Sequence, residues 1–415
     1  MSRKFVVGID IGTTKVCAVV AKAGYDTAEI IGTGFTVSRG LKKGVVVDVD
    51  ATTQAIREAV SEAEKTSGVE LRAAYIGVAG SHIECITSYG ATGIKGKEVT
   101  KKDVDRVVES ASAVYVPLDR EVLHVLPSDF VIDGQNGIVQ PLGMSGVRLE
   151  ANVRVITASQ AAVETLIRCC EKAGVEVIET VFEPIASSKA ILRADELNSG
   201  VAVIDIGGGT TDIAVYMQGR FRHASTLPVG GNHITNDIAI GLRLSQKEAE
   251  RVKKKYGDAL GDVDLQDEMD VEGMDGQMKK IPRQYLTEII RPRCEEIFEL
   301  IRHELHELYT CPSCVVLTGG TALLKGVDRI AEALLGLPVR VGAPEGGKAL
   351  LSEDVLGSPL YSTCVGLMLY GFEKEKGIYE NLFSGLLNRF KKWTGIFPEV
   401  KDWSFDRKKS LSSEL

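Results

Sequence analysis

The chain has 415 residues, 44% of them hydrophobic and 26% charged, with a formal net charge of −8. That length supports two or three hydrophobic cores of ordinary globular composition, and the acidic balance argues against a nucleic-acid binder, which carries a basic surplus. Met1–Lys4 lead straight into a strand pattern with no signal-peptide region, and no apolar run reaches membrane-spanning length, so a cytoplasmic location is expected.

In chain order, Val and Ile content predicts strands over residues 5–20, about 28–37, and 45–47. Apolar residues at Ala55, Ile56, Ala59, Val60 and Ala63 predict a helix over 51–67, followed by a strand at 74–79. The texture changes between His82 and Ser159. Thr100 reads as a helix N-cap with Asp103 three residues on, and strand-like runs at 122–125, 129–132 and 152–157 are broken by the Gly-rich stretch 133–146. Residues 82–159 are therefore expected to be a small α+β insertion. A helix at 159–174, a strand at 175–182 and a helix at 184–194 follow. Beyond the strand pattern that starts at Val201, a capping box at Ser245–Glu248 opens a helix to about Tyr256. The acidic stretch 258–276 reads as an exposed loop or hairpin, 282–308 as a long amphipathic helix, 315–320 as a strand and 323–335 as a helix. Of eight cysteines, Cys17, Cys85, Cys169, Cys294 and Cys364 sit in apolar or helical contexts typical of reduced core thiols. Cys311 and Cys314 have Cys-x-x-Cys spacing without the second pair a zinc site needs, and read as a loop.

Two stretches are near copies. Val6–Val16 contains Asp10-Ile11-Gly12-Thr13-Thr14-Lys15, and Val201–Ile213 contains Asp205-Ile206-Gly207-Gly208-Gly209-Thr210-Thr211. Each reads as a buried strand ending in Asp and a Gly/Thr turn into a second strand. An Asp at a strand end can hold a hydrated cation, and Mg²⁺, which dehydrates reluctantly, suits a carboxylate met through water. The turns present backbone N–H groups and hydroxyls that suit phosphate oxygens, with Lys15 as a point charge. Two such hairpins facing one another would grip a phosphate chain and its metal from both sides.

The end of the chain carries a second pattern. With 378–397 as a helix, Leu382, Leu386, Phe390, Trp393 and Phe397 form one stripe that Phe383 and Leu387 widen. Lys391 and Lys392 fall opposite, and Arg389 sits at the edge, where it can snorkel. Aromatics on one face and basic residues on the other describe a helix lying on an anionic membrane surface; an ordinary packed terminal helix is the alternative. The charged run 373–377 reads as a linker before it, and Pro398 ends it ahead of a polar tail.

The paired hairpins, the later Thr318-Gly319-Gly320-Thr321 turn and their order resemble the actin-like ATPase superfamily. Within it, the runs 115–121 (YVPLDRE), 124–127 (HVLP) and 141–150 (PLGMSGVRLE) resemble the FtsA family of bacterial cell-division proteins, over about residues 3–372. Ser362 and Cys364 depart from the small Ala usual there. The resemblance implies an α/β actin-like fold, two related domains around a nucleotide cleft. The first domain would comprise 1–81 and 160–195, and the second 196–371 with a helical subdomain at about 230–312. A linker at 372–377, a membrane-targeting helix at 378–397 and a tail at 398–415 would follow.

It further implies ATP with Mg²⁺, phosphate contacts from both turns, and adenosine contacts from Gly319, Gly320 and Thr321. Glu250 and Lys253 would flank ribose and base; as residues three apart on a helix they could equally be a surface ion pair. Glu183 matches an acidic residue that positions water, though a Glu before Pro184 also suits a helix start. Arg293 matches the helix that receives a peptide of FtsZ, although a charged helix face is usually just solvated. The expected role is an ATP-binding, polymerising protein on the cytoplasmic face of the membrane at the division site. There it would tether FtsZ and meet itself, anionic lipid and other division proteins. A small-molecule kinase, a pilus-assembly adaptor of the same fold, and a scaffold that holds nucleotide without hydrolysing it are the alternatives.

Overall fold

The computed structural model describes residues 5–376 apart from 26, 114–115, 262–266, 309–310, 346–348, 351–354 and 356. The predicted amphipathic helix 378–397 and the tail 398–415 lie outside the described residues.

The first part of the chain forms β1 (Phe5–Ile11), β2 (Lys15–Ala23), β3 (Ala28–Val37), the two-residue strands β4 (Leu41–Lys42) and β5 (Val45–Val46), α1 (Val49–Ser67) and β6 (Ala73–Val78). Then come β7 (Glu84–Gly93), α2 (Lys101–Ser112), β8 (Arg120–Ile132), β9 (Gln135–Ile138) and β10 (Arg148–Ser159), followed by α3 (Gln160–Lys172), β11 (Glu176–Phe182), α4 (Glu183–Ile191) and α5 (Ala194–Ser199). The second half forms β12 (Val201–Ile206), β13 (Thr211–Met217), β14 (Arg220–Leu227), α6 (Gly231–Leu242), α7 (Gln246–Tyr256), β15 (Glu268–Glu272) and β16 (Met278–Pro282). It ends with α8 (Arg283–His306), β17 (Cys314–Thr318), α9 (Val327–Leu335), β18 (Val339–Val341), β19 (Ala349–Leu350) and α10 (Ser362–Glu375).

Two sheets repeat one plan. The first has the order β11-β6-β1-β2-β3-β19 and the second β14-β13-β12-β17-β18. In each, an antiparallel hairpin (β1–β2, β12–β13) supplies the middle, and its first strand pairs in parallel with the next strand across a helical crossover. Register is equivalent: Asp10 lies opposite Cys17, and Asp205 opposite Asp212. The middle strands are buried on both faces, which is why they read as continuous apolar runs.

The insertion is an antiparallel sheet, β7-β10-β8-β9, with α2 packed on it. The sequence split β8 at Pro127; the structure runs the strand through it, with register shifts against β10 absorbing the irregularity. β7 and β14 were not expected as strands, because their exposed faces carry polar residues that dilute the apolar pattern. Thr100 and Asp103 close the capping box: the Thr100 N–H donates to Asp103 at 2.9 Å, and Arg106 pairs with the same carboxylate. Burial opposes Asp103's charge, but these donors outweigh it and hold the pKa down at about 2. Its contribution is therefore complete above the ordinary Asp pKa near 4 and is lost as pH falls towards 2. Asp103→Ala is expected to cost ~1–2 kcal/mol at pH 7 and much less at pH 2.5, read by denaturant titration.

The acidic stretch takes the hairpin alternative, as β15 and β16. The expected helix at 323–335 starts later, at Val327, because 320–323 wind as a tight 3₁₀ turn. The expected helix at 184–194 stops at Ile191 and restarts as α5. α10 corrects two expectations. Counted with the second half by sequence, it packs on β1 and α4 of the first sheet. The run from Glu373, read as a linker, continues that helix: Glu373 is buried in an ion pair with Lys189 at 2.8 Å, and Lys374 pairs with Glu179. Charges that looked solvated have partners more than 180 residues away in the chain. Among the described residues, no helix is long and apolar enough to cross a membrane.

Candidate functional site

β1 ends at Asp10 and Ile11 and β2 begins at Lys15, so Gly12–Thr14 form a turn closed by the Gly12 N–H donating to the Lys15 carbonyl at 2.9 Å. The second hairpin repeats it: the Gly207 N–H donates to the Thr210 carbonyl at 2.9 Å. The start of α6 holds this second turn from behind, with the N–H groups of Gly231 and Asn232 donating to the Gly207 and Gly208 carbonyls at 2.9 and 2.8 Å.

The two turns meet. A β carbon on Gly208 would lie 2.2 Å from Thr14 Cγ2, and one on Gly209 would lie 2.7 Å from Thr13 Oγ1. Gly319, in the left-handed region at φ 86°, leaves no room either, since its β carbon would sit 2.3 Å from Asp205 Oδ1. One cavity is lined by Asp10, Gly12, Thr13, Thr14, Lys15, Glu183, Asp205, Gly207 to Thr210, Gly319 and Gly320. It also takes in Gly44, Asp212, Leu360 and Thr363, which the sequence reading missed. Asp212 was findable, because the hairpin register sets it across from Asp205. Leu360 and Thr363 were not, since only the return of the chain to the first sheet brings them there.

Four carboxylates and one ammonium set the field. Lys15 Nζ donates to Asp10 Oδ2 at 2.5 Å and to the Leu360 carbonyl at 2.6 Å. Burial opposes its charge, but Asp10, Cys17 and Cys364 together outweigh burial and raise the lysine above its ordinary pKa. Asp205 accepts from Thr363 Oγ1 at 3.2 Å, yet burial, then Asp212 and Asp10, push it up to about 7. Asp212 accepts from Thr226 and Thr210 at 2.6 and 3.0 Å, and burial still lifts it to about 6. Glu183, first residue of α4, is raised well above the carboxylate range by burial and by Asp10, Asp212 and Asp205. It lines the cavity and also opens α4.

These raised carboxyls keep protons that the unfolded chain releases near pH 4. Unfolding therefore releases protons between about pH 4 and 7, and stability falls as pH rises through that window. Millimolar Mg²⁺ is expected to raise Tm more at pH 8 than at pH 5.5, because Asp205 and Asp212 become ionised only towards the higher pH; calorimetry at both values reads it.

The remaining candidates lie elsewhere. Thr211 Oγ1 donates to the Val229 carbonyl at 2.8 Å, and Thr321 Oγ1 to the Gly207 carbonyl at 3.1 Å, so both brace the second turn. Glu250 and Lys253 make their ion pair at 2.6 Å, and Lys253 Nζ also donates to the Gly231 carbonyl at 3.0 Å. That places them behind the second turn rather than among the residues lining the cavity. Arg293, on α8, forks onto Asp237 of α6 at 2.6 and 3.2 Å and pairs with Glu296. Cys311 and Cys314 are free thiols.

The donor set fits a phosphorylated ligand with a hydrated divalent ion. Glycines leave backbone close at hand, Lys15 supplies a positive charge, and Asp10 and Asp205 enter from opposite sides. Among the described residues, no group of three or more His, Cys, Asp or Glu side chains could hold a metal alone. Mg²⁺ takes one or two carboxylates and completes its shell with water and phosphate, a demand that Asp10 and Asp205 can meet. The space between the turns holds only about 70 Å³, against the ~300 Å³ or more of a small-molecule pocket. That space has to enlarge before a nucleotide fits.

Comparison with known proteins agrees with this architecture. Residues 202–366 match the family model "Cell division protein FtsA", and residues 80–157 match "SHS2 domain inserted in FTSA". The cell division protein FtsA of Pseudomonas aeruginosa is 41% identical over 409 residues, spanning 94% of this chain and 98% of that one. Among solved structures, a chain of the PilM–PilN type IV pilus biogenesis complex superposes with a TM-score of 0.65 at 18% identity, covering 90% of this chain and 100% of that one. MreB5 of Spiroplasma citri bound to ADP gives 0.54 at 18% identity, covering 91% and 98%. At those identities the likeness concerns the actin-like fold alone.

Proposed function

Because the chain belongs to the FtsA family of cell-division proteins, we propose that it binds ATP with Mg²⁺ between the Asp10 and Asp205 hairpins, polymerises on the cytoplasmic face of the membrane, and tethers FtsZ filaments there during septum assembly. The observation that carries the nucleotide part is the meeting of two equivalent Gly/Thr turns, each following a strand-end Asp. The ADP-bound MreB5 structure shares that fold and supports the choice of ligand.

In this reading Thr13, Thr14 and Lys15 hold phosphates from one side, and Gly207 to Thr210 from the other. Gly319 and Gly320 flank the adenosine side. Thr211, Thr321 and the Glu250–Lys253 pair position the second turn. Asp10 and Asp205 orient the hydration shell of Mg²⁺, which when bound neutralises phosphate charge. Burial and the neighbouring Asp10, Asp212 and Asp205 favour the protonated form of Glu183 despite Lys15, so it accepts a proton from water only once further positive charge lowers its pKa. Slow hydrolysis, or none, is consistent with that restraint.

The membrane part rests on the sequence of 378–397, whose apolar and basic residues would bind a membrane weakly in one copy and avidly when polymerisation presents many. Titration of the full chain with a fluorescent ATP analogue, with and without Mg²⁺, is expected to give saturable, Mg²⁺-dependent binding that unlabelled ATP displaces. Absence of binding with magnesium present would refute the nucleotide reading.

A further inference from the structure

One buried nucleophilic pair has no part in that reading. Cys17 on β2 and Cys364 on α10 are 347 residues apart in sequence, fully buried, and bring their sulfurs to 2.9 Å. That is ~0.9 Å beyond a disulfide bond, much closer than two thiols packed as ordinary small hydrophobes require. Both are free.

Their position is mechanically central. Cys17 lies across the hairpin from Asp10, two residues beyond Lys15. Cys364 sits in the first turn of α10, next to Ser362 and Thr363. Thr318 Oγ1 donates to Ser362 Oγ at 2.7 Å, and Thr363 Oγ1 to Asp205 Oδ2 at 3.2 Å. The first turn of α10 thus touches the second sheet while the rest of the helix lies on the first, and the sulfur pair sits at that junction.

We propose that Cys17 and Cys364 are a redox-sensitive pair that a peroxide converts into an intrachain disulfide, pinning the start of α10 to β2. One thiol sulfur attacks the peroxide O–O bond, giving a sulfenic acid and, with hydrogen peroxide, one water. The second thiol attacks the sulfenic sulfur, forms the S–S bond and releases a second water, so two electrons pass from the thiols to the peroxide. In a reducing compartment such a bond is transient and reports oxidant. Burial means that oxidant reaches the pair only when the start of α10 lifts from β2, so the bond records that local opening as well as oxidation.

The test treats the full chain with hydrogen peroxide, blocks remaining thiols by alkylation, and maps peptides without reduction. The expected result is a Cys17–Cys364 linked peptide that disappears on reduction, and slower amide exchange over 363–368 in the oxidised protein, restored by dithiothreitol. In Cys364→Ala, Cys17 is expected to stay alkylatable. Recovery of both Cys17 and Cys364 as alkylated thiols while the exposed Cys311 is oxidised overturns the proposal. So does linkage of Cys17 to any other cysteine. The unsubstituted chain alone decides between these results, so the test survives misfolding of the variant.

Discussion

Lys15→Ala is expected to weaken binding of ATP with Mg²⁺ by about 100-fold, ~2.8 kcal/mol. Among the described residues Lys15 is the one basic side chain lining the cavity, where Asp10, Glu183, Asp205 and Asp212 crowd together. A phosphate chain brought there without it meets uncompensated negative charge. Truncating one partner of a buried, hydrogen-bonded charge pair costs ~2–5 kcal/mol, largely because the other charge is left unpaired. The same substitution strands Asp10, so it also lowers stability. Lys15→Ala with Asp10→Asn separates the two effects: thermal stability is expected to return towards that of the unsubstituted chain while nucleotide affinity stays low. Recovery of affinity together with stability would show that Lys15 serves the fold and not the phosphates. Nucleotide titration and calorimetry on the two variants read both quantities.

Gly366→Ala is expected to destabilise the chain by about 3 kcal/mol or more, at the upper end of overpacking penalties. α10 crosses α4 so closely that a β carbon at Gly366 would lie 1.8 Å from the Ala186 carbonyl oxygen and 2.3 Å from its carbon. The obstacle is helix backbone, so no rotamer change relieves it, and Ala186→Gly is not expected to rescue. Gly8 on the opposite side is also tight, its β carbon 2.5 Å from the Cys364 carbonyl oxygen, so α10 cannot retreat towards β1. Denaturant unfolding measures the loss. An unchanged midpoint would contradict the packing of α10 between β1 and α4.

These two substitutions show where sequence reading succeeds and stops. Lys15 was legible because its chemistry is local: strand, Asp, Gly/Thr turn and Lys follow within a dozen residues, and the duplication at Asp205 gives the pattern a second copy. The insertion was legible through its capping box and its change in texture. The tightness at Gly366 was not, because it depends on α10 returning from the far end of the chain to the first sheet. The same return turned an expected linker into helix, since Glu373 and Lys374 have partners on α4 and β11. Glu250 and Lys253 sit three residues apart whether they meet a nucleotide or each other, and only geometry places them behind the second turn. Arg293 likewise gave no sign in sequence of its fork onto Asp237. Local chemistry carried the two Gly/Thr turns, and long-range packing decided which neighbouring residues line the space and which brace it.

The tether is tested most directly by recruitment of fluorescent FtsZ polymers to anionic lipid bilayers with ATP and Mg²⁺, comparing the full chain with one ending at Gly377. Recruitment by the full chain and none by the shortened one is the predicted result, placing the anchor beyond residue 377. Full-chain binding to the bilayer with FtsZ left in solution would contradict the tether.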